Sequence, residues 1–184
     1  MIVLIIIAVV LGLLIIFVIG MYNALIRRRN QVDNAWSQID VQLKRRHDLI
    51  PNLVETAKGY MKHERQTFEA ITQARSQAMG AKTVSEASKA EGALGEALSK
   101  FMLVVENYPD LKANQNFLSL QEELSSTENR IAFARQNYND QVLFFNNKIQ
   151  MFPSNIIAGT FGFGKRDFFE IEIAAEREAP KVSF

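Results

Sequence analysis

The sequence predicts an all-α protein, with an N-terminal transmembrane helix followed by an up-and-down antiparallel bundle whose first helix is long and kinked. Three observations carry this. No charged side chain precedes Arg27, and 23 of the first 26 residues are apolar, Gly12, Gly20 and Asn23 being the exceptions. Beyond Arg29, apolar residues recur every three to four positions, which is the period of a helix that buries one face. No stretch alternates apolar and polar residues for long enough to demand a sheet.

Residues 1–26 form the first segment and residues 27–184 the second. As a helix the first spans roughly 39 Å at about 1.5 Å per residue, enough to cross a hydrocarbon core of about 30 Å. Its Ile and Val content suits lipid, where the backbone must satisfy its own hydrogen bonds. Tyr22 and Asn23 read as an interfacial belt. Arg27, Arg28 and Arg29 follow as a basic stop at the lipid headgroups, where each charge contributes about 1 kcal/mol of attraction to anionic lipid. A cleaved signal peptide is the weaker reading, because a basic leader is missing and the apolar run is too long. Arginines only on the carboxyl side predict a single-pass protein with a short external N-terminus and a cytoplasmic domain. The opposite orientation is the alternative.

Within the second segment, Val32, Trp36, Ile39 and Leu43, then Ile50, Leu53, Ala57, Phe68 and Ile71, mark a helical face over residues 30–79. The pattern is interrupted at Arg45, Arg46 and His47, and Pro51 follows. Proline lacks an N–H and clashes with the preceding turn, so a kink or restart is expected between Asp48 and Pro51. Gly80 to Thr83 is a turn. Ser85 and Glu86 then open an alanine-rich helix that ends at Asn107 to Asp110. A third helix is expected from about Asn114 to Met151, closed by Pro153. One helical turn, a glycine-aromatic loop, a short helix from about Lys165 to Arg177 and an extended tail from Pro180 complete the chain. Helices joined by short turns pack as antiparallel neighbours.

The stretch YNALIRRRNQVDNAWSQIDVQLKRRHDLIPNLVETAKGYMKHE, from Tyr22 to Glu64, resembles the signature of the LemA family of bacterial membrane proteins. SLQEELSSTENRIAFARQNYND, FPSNIIAGTFGF and the closing APKVSF resemble it too, so the likeness covers nearly the whole chain. It implies an N-terminal transmembrane helix with a small external terminus and a four-helix soluble bundle. Some relatives in that family are linked to forming internal membrane compartments. The resemblance brings no catalytic residues with it.

Composition excludes several function classes. With no cysteine, the chain has no disulfide, thiolate zinc site or thiol nucleophile. A net charge of +1 gives no basic excess for phosphates, so no nucleic-acid partner is expected. The residues three before His47 and His63 are Lys44 and Tyr60, so the Glu-x-x-His pattern of a di-metal bundle is absent. His63-Glu64 lacks the second histidine of a zinc helix, since position 67 is Thr. Both histidines are read as solvated or turn residues. GTFGFG, from Gly159 to Gly164, has neither dinucleotide nor phosphate-loop spacing and reads as a turn needing positive φ. No enzyme activity, metal or cofactor is expected.

Two further features remain as candidates for contact with a protomer or partner. Lys44, Arg45 and Arg46 lie about 22 Å beyond Arg29 along a helix, out of range of the same lipids. They read first as a solvated face and second as a partner patch. Phe161, Phe163, Phe168 and Phe169 lie in or after the glycine-rich loop. Helix lengths oppose a membrane-dipping loop: residues 30–79 rise about 75 Å if continuous, and the next two helices return about 35 Å and climb about 57 Å. This leaves the loop far from the bilayer unless the chain reverses sharply near Pro51. The rings are then expected to cap the bundle or to meet another chain.

The resulting expectation is a non-enzymatic membrane protein that contacts lipids and forms a homo-oligomer, a scaffold that organises or shapes the membrane. The alternative is a membrane-anchored adaptor that presents its bundle to another membrane protein, such as a protease or transporter.

Overall fold

Lipid-compatible and soluble sequence run together in one element of the structure, a computed structural model that describes residues 1–170. The first helix, α1 (Ile2–Lys58), is 57 residues long. Its apolar start has no buried residue in the window apolar enough to cross a membrane. From Leu25 onward one stripe is buried, with Leu25 and Val32 two turns apart and Val32, Ala35, Ile39 and Leu43 three or four residues apart. Among the described residues the remaining elements are also helical: α2 (Arg65–Gly80), α3 (Val84–Val105), α4 (Pro109–Lys112), α5 (Gln115–Gln150) and α6 (Ser154–Thr160).

The kink expected between Asp48 and Pro51 is absent, and α1 continues through Pro51 to Lys58. Proline at 51 removes the amide that would bond the carbonyl of His47. Arg75, on α2, takes the place of that amide, its Nε donating to the His47 carbonyl oxygen at 2.7 Å. The helix ends instead at Lys58, and Gly59 opens a turn. There the amides of Tyr60 and Met61 both bond the Ala57 carbonyl, and the chain turns before α2.

Thr83 starts α3 with a capping box, its hydroxyl accepting from the Glu86 amide at 3.1 Å while the Glu86 carboxylate accepts from the Thr83 amide. The expected turn at Asn107 to Asp110 runs into the one-turn helix α4, with Pro109 in its first turn. Asn114 caps α5, its side-chain oxygen accepting from the Phe117 amide at 3.1 Å. The expected short helix from Lys165 is not formed over residues 165–170. Its remainder, and the extended tail from Pro180, lie outside the described residues.

Contacts divide the chain into two units. One comprises Met1–Ile39 and Ala134–Asp167, and the other is built around Asp40–Phe133. In the second, Leu53 and Ala57 of α1, Ile71 of α2, Phe101 of α3, Leu111 of α4 and Phe117 of α5 share one core. There α1 and α5 run in opposite directions, since Arg45 pairs with Glu123 and Tyr60 with Asn114. In the first unit the same sense holds, as Arg28 meets Phe144 and Gln38 meets Asn137. That unit buries Leu25 and Val32 of α1, Val142 and Phe145 of α5, and Ile157 and Ala158 of α6.

Candidate functional site

In the first unit, the inward stripe of α1 carries Tyr22 and Arg29 at its N-terminal end. Tyr22 lies three residues before the buried Leu25, and Arg29 lies four after it. α6 follows α5 after a three-residue turn and buries Ser154, Ile157 and Ala158. It ends in a left-handed cap, with Gly162 at φ 70° and the Phe163 amide donating to the Ala158 carbonyl at 2.9 Å. The positive φ expected of the GTFGFG turn is thus found at Gly162, the one residue type that adopts it without strain.

This cap sets Phe161 and Phe163 on either side of a glycine, and both rings meet Tyr22. The ring centroids lie 4.8 Å apart for Phe161 and 5.8 Å for Phe163. Phe163 also packs edge-on to Phe145 at 6.5 Å, and Arg29 Cζ stands 5.7 Å over the Phe163 ring. Arg28 stacks likewise on Phe144 at 5.6 Å. The helix-length expectation that kept Phe161 and Phe163 far from the span is therefore overturned. It assumed one rise over residues 30–79, whereas the chain turns at Gly59–Glu64 and α2 folds back so that Arg75 reaches His47. Arg27 is exposed and no ring stacks on it among the described contacts.

The segment after the cap is tied to the same unit. Asn146 donates to the Arg166 carbonyl and accepts from the Arg166 amide, both at 2.9 Å. The Arg166 guanidinium pairs with Asp33 at 3.0 Å. Tyr138 donates to the Asp167 carbonyl at 2.9 Å and packs edge-on against Trp36 at 5.5 Å. Burial raises the Tyr138 phenol above its ordinary range, and the carboxylates of Asp167 and Asp33 add to this while Arg166 opposes it.

The second unit holds a buried polar cluster that was not anticipated. Arg46 is 2% exposed and His47 7% exposed, so neither belongs to a solvated face. Arg46 Nη2 lies 3.1 Å from Glu91 Oε2 and donates to the Glu91 carbonyl at 3.2 Å, while its Nη1 donates to Glu128. His47 Nε2 donates to Glu91 Oε1 at 2.6 Å. Burial of an arginine demands such partners. The cluster joins α1, α3 and α5, and Arg46 is enclosed within the chain. Lys44 and Arg45 stay exposed. Phe169 is buried, Phe168 stands at the surface, and Ser88 donates to the carbonyl of Glu170 beside them.

The sequence held the signal for this cluster. Arg46 and His47 follow Leu43 by three and four residues, in register with the core, and Glu91 sits between the buried Ala87 and Leu94. Charges at core positions call for one another. Among the described residues no three His, Asp or Glu side chains come together where they could hold a metal ion.

The sequence pattern of the LemA family matches residues 35–184, most of the chain. The chain belongs to the LemA family. Protein LemA of Metamycoplasma hominis is 30% identical over 174 residues, 94% of this chain and 77% of that relative. Magnetosome protein MamQ 2 of Paramagnetospirillum magneticum is 24% identical, and Magnetosome protein MamQ of Magnetospirillum gryphiswaldense 23%. Each MamQ match covers 84% of this LemA-family chain but 66% of the relative, so the chain spans just under two-thirds of their length. The exposed apolar start of α1 and these relatives together indicate a membrane-associated protein.

Proposed function

We propose that this LemA-family chain is a non-enzymatic, single-pass membrane protein whose helical domain, an up-and-down four-helix bundle, self-associates as a scaffold that organises or shapes the membrane. The observation that carries this is α1 itself. The helix leaves an apolar, unburied start and enters the packed core with no intervening linker. Such a domain is held at the bilayer beside its neighbours, and confinement raises effective concentration so that modest contacts suffice. Relatives named as magnetosome proteins favour the same reading. Arg27, Arg28 and Arg29 on the carboxyl side of the span favour a cytoplasmic domain.

The test is light scattering and imaging of the full-length protein in detergent and in vesicles of phosphatidylcholine with phosphatidylglycerol. The expected result is a particle of several protomers and ordered rings, cages or tubules on lipid. A monodisperse monomer that leaves vesicles unshaped overturns the proposal. Stoichiometric copurification of another membrane protein, lost on reversing the exposed charges of Lys44 and Arg45, supports the adaptor role in its place.

A further inference from the structure

Between Lys148 and Lys165 lie 16 consecutive residues without a charge, Ile149 to Gly164, and no longer uncharged run follows the N-terminal one. This run contains α6. The helix packs Ile157 and Ala158 inward, while Ile156 and the flanking Met151, Phe152 and Phe161 stand exposed. Phe152, at 79%, is among the most exposed large apolar side chains beyond the span. Exposed apolar residues gathered on a single short segment mark a contact surface.

The neighbours of the segment identify what covers it. Phe161 packs at a tilt against Tyr22, which precedes the first charged residue, Arg27, by five residues, or about 7.5 Å along α1. The ring therefore sits on the lipid side of the basic triplet, at the depth where aromatic belts lie. Basic residues lie near the segment: Arg28 over Phe144, Arg29 over Phe163, and Lys148 and Lys165 at the two ends of the uncharged run. Apolar and aromatic side chains framed by Lys and Arg match the outer layer of an anionic bilayer.

We infer that the segment from Met151 to Phe161 is a second membrane contact, in which Met151, Phe152, Ile156 and Phe161 enter the headgroup layer beside the span while the surrounding cations bind anionic lipid. The inference rests on the proposed anchoring of α1. It adds a shallow foot next to a deep one, so each copy would press a wedge into one leaflet. A wedge of this kind is one physical means by which an assembly of such chains bends its membrane.

The natural chain lacks cysteine, so single labels are readily placed. Full-length Phe152→Cys, Ile156→Cys, Leu103→Cys and Val10→Cys proteins, each carrying an environment-sensitive fluorophore, would be reconstituted in vesicles of phosphatidylcholine and phosphatidylglycerol. Circular dichroism would verify the fold of each. Lipids with a nitroxide near the headgroup should quench positions 152 and 156 several-fold more than position 103, an exposed site in the second unit. Lipids with a nitroxide deep in the acyl chain should quench position 10. Unquenched labels at 152 and 156, with position 10 quenched, overturn the inference and leave the anchoring intact. A blue shift at 152 without lipid quenching shows that a second copy covers the segment, and also overturns it. Failure at position 10 removes the anchoring, and the inference with it.

Discussion

The carbonyl of His47 has lost its helical donor to Pro51 and regained one from Arg75, and this exchange explains why a proline in mid-helix leaves α1 unbroken. A charged donor to such a group contributes about 1.5 to 3 kcal/mol. Arg75→Met should lower stability by about that much in urea unfolding monitored by circular dichroism. In a Pro51→Ala background the restored amide serves the same carbonyl, so the further loss from Arg75→Met should shrink to less than about 1 kcal/mol. Equal losses in the two backgrounds would show that Arg75 stabilises the fold by some route other than the proline gap. The sequence predicts a kink at this proline because the compensating side chain lies on another helix, beyond the reach of any local pattern. Arg46, His47 and Glu91 were legible in principle, since each occupies an apolar register position. Charge usually marks a solvated face, and that hides them among the other polar positions.

At the level of the elements, the periodicity of apolar residues located α3 and α5 within one or two residues, since both present long amphipathic faces with clear caps or turns at their ends. It did not separate α1 from α2. The stripe continues through Ala57, Met61 and Phe68 across the turn, because Met61, within the turn, is itself buried. α6 was legible as a single turn with a glycine-rich exit, and its cap shows what the glycines do. Gly162 has a φ of 70°, and a Cβ there would meet nothing within 4 Å, so the constraint is conformational. Gly162→Ala should therefore cost about 1 to 2 kcal/mol. Gly164, equally open but without positive φ, should accept alanine within about 0.5 kcal/mol. Thermal unfolding of the two variants side by side checks this. Equal shifts would mean that the cap does not hold Phe161 and Phe163 against Tyr22.

For the whole molecule, the composition already separated a lipid-soluble start from a water-soluble remainder, and α1 joins the two in one helix. The placement of the aromatic loop is beyond reach of the sequence, because it depends on where the chain first reverses, and moving that point from the Gly80–Thr83 turn to Gly59–Glu64 changes which end α5 approaches. The unbroken helix also makes a demand on assembly. If confinement in a membrane drives self-association, a fragment of residues 21–184 retains Tyr22, the buried Leu25 and every described partner of the core, and loses only the confinement. It should remain helical and monomeric at micromolar concentration. Tethering the same fragment through an N-terminal polyhistidine tag to nickel-chelating lipid should restore association, since local concentration then rises toward the millimolar range. Sedimentation velocity in solution, and energy transfer between labelled copies on vesicles, would measure the two halves of this prediction. A fragment that forms the full-size particle in solution would show that the contacts between copies are strong in themselves, and that the span positions the assembly without causing it.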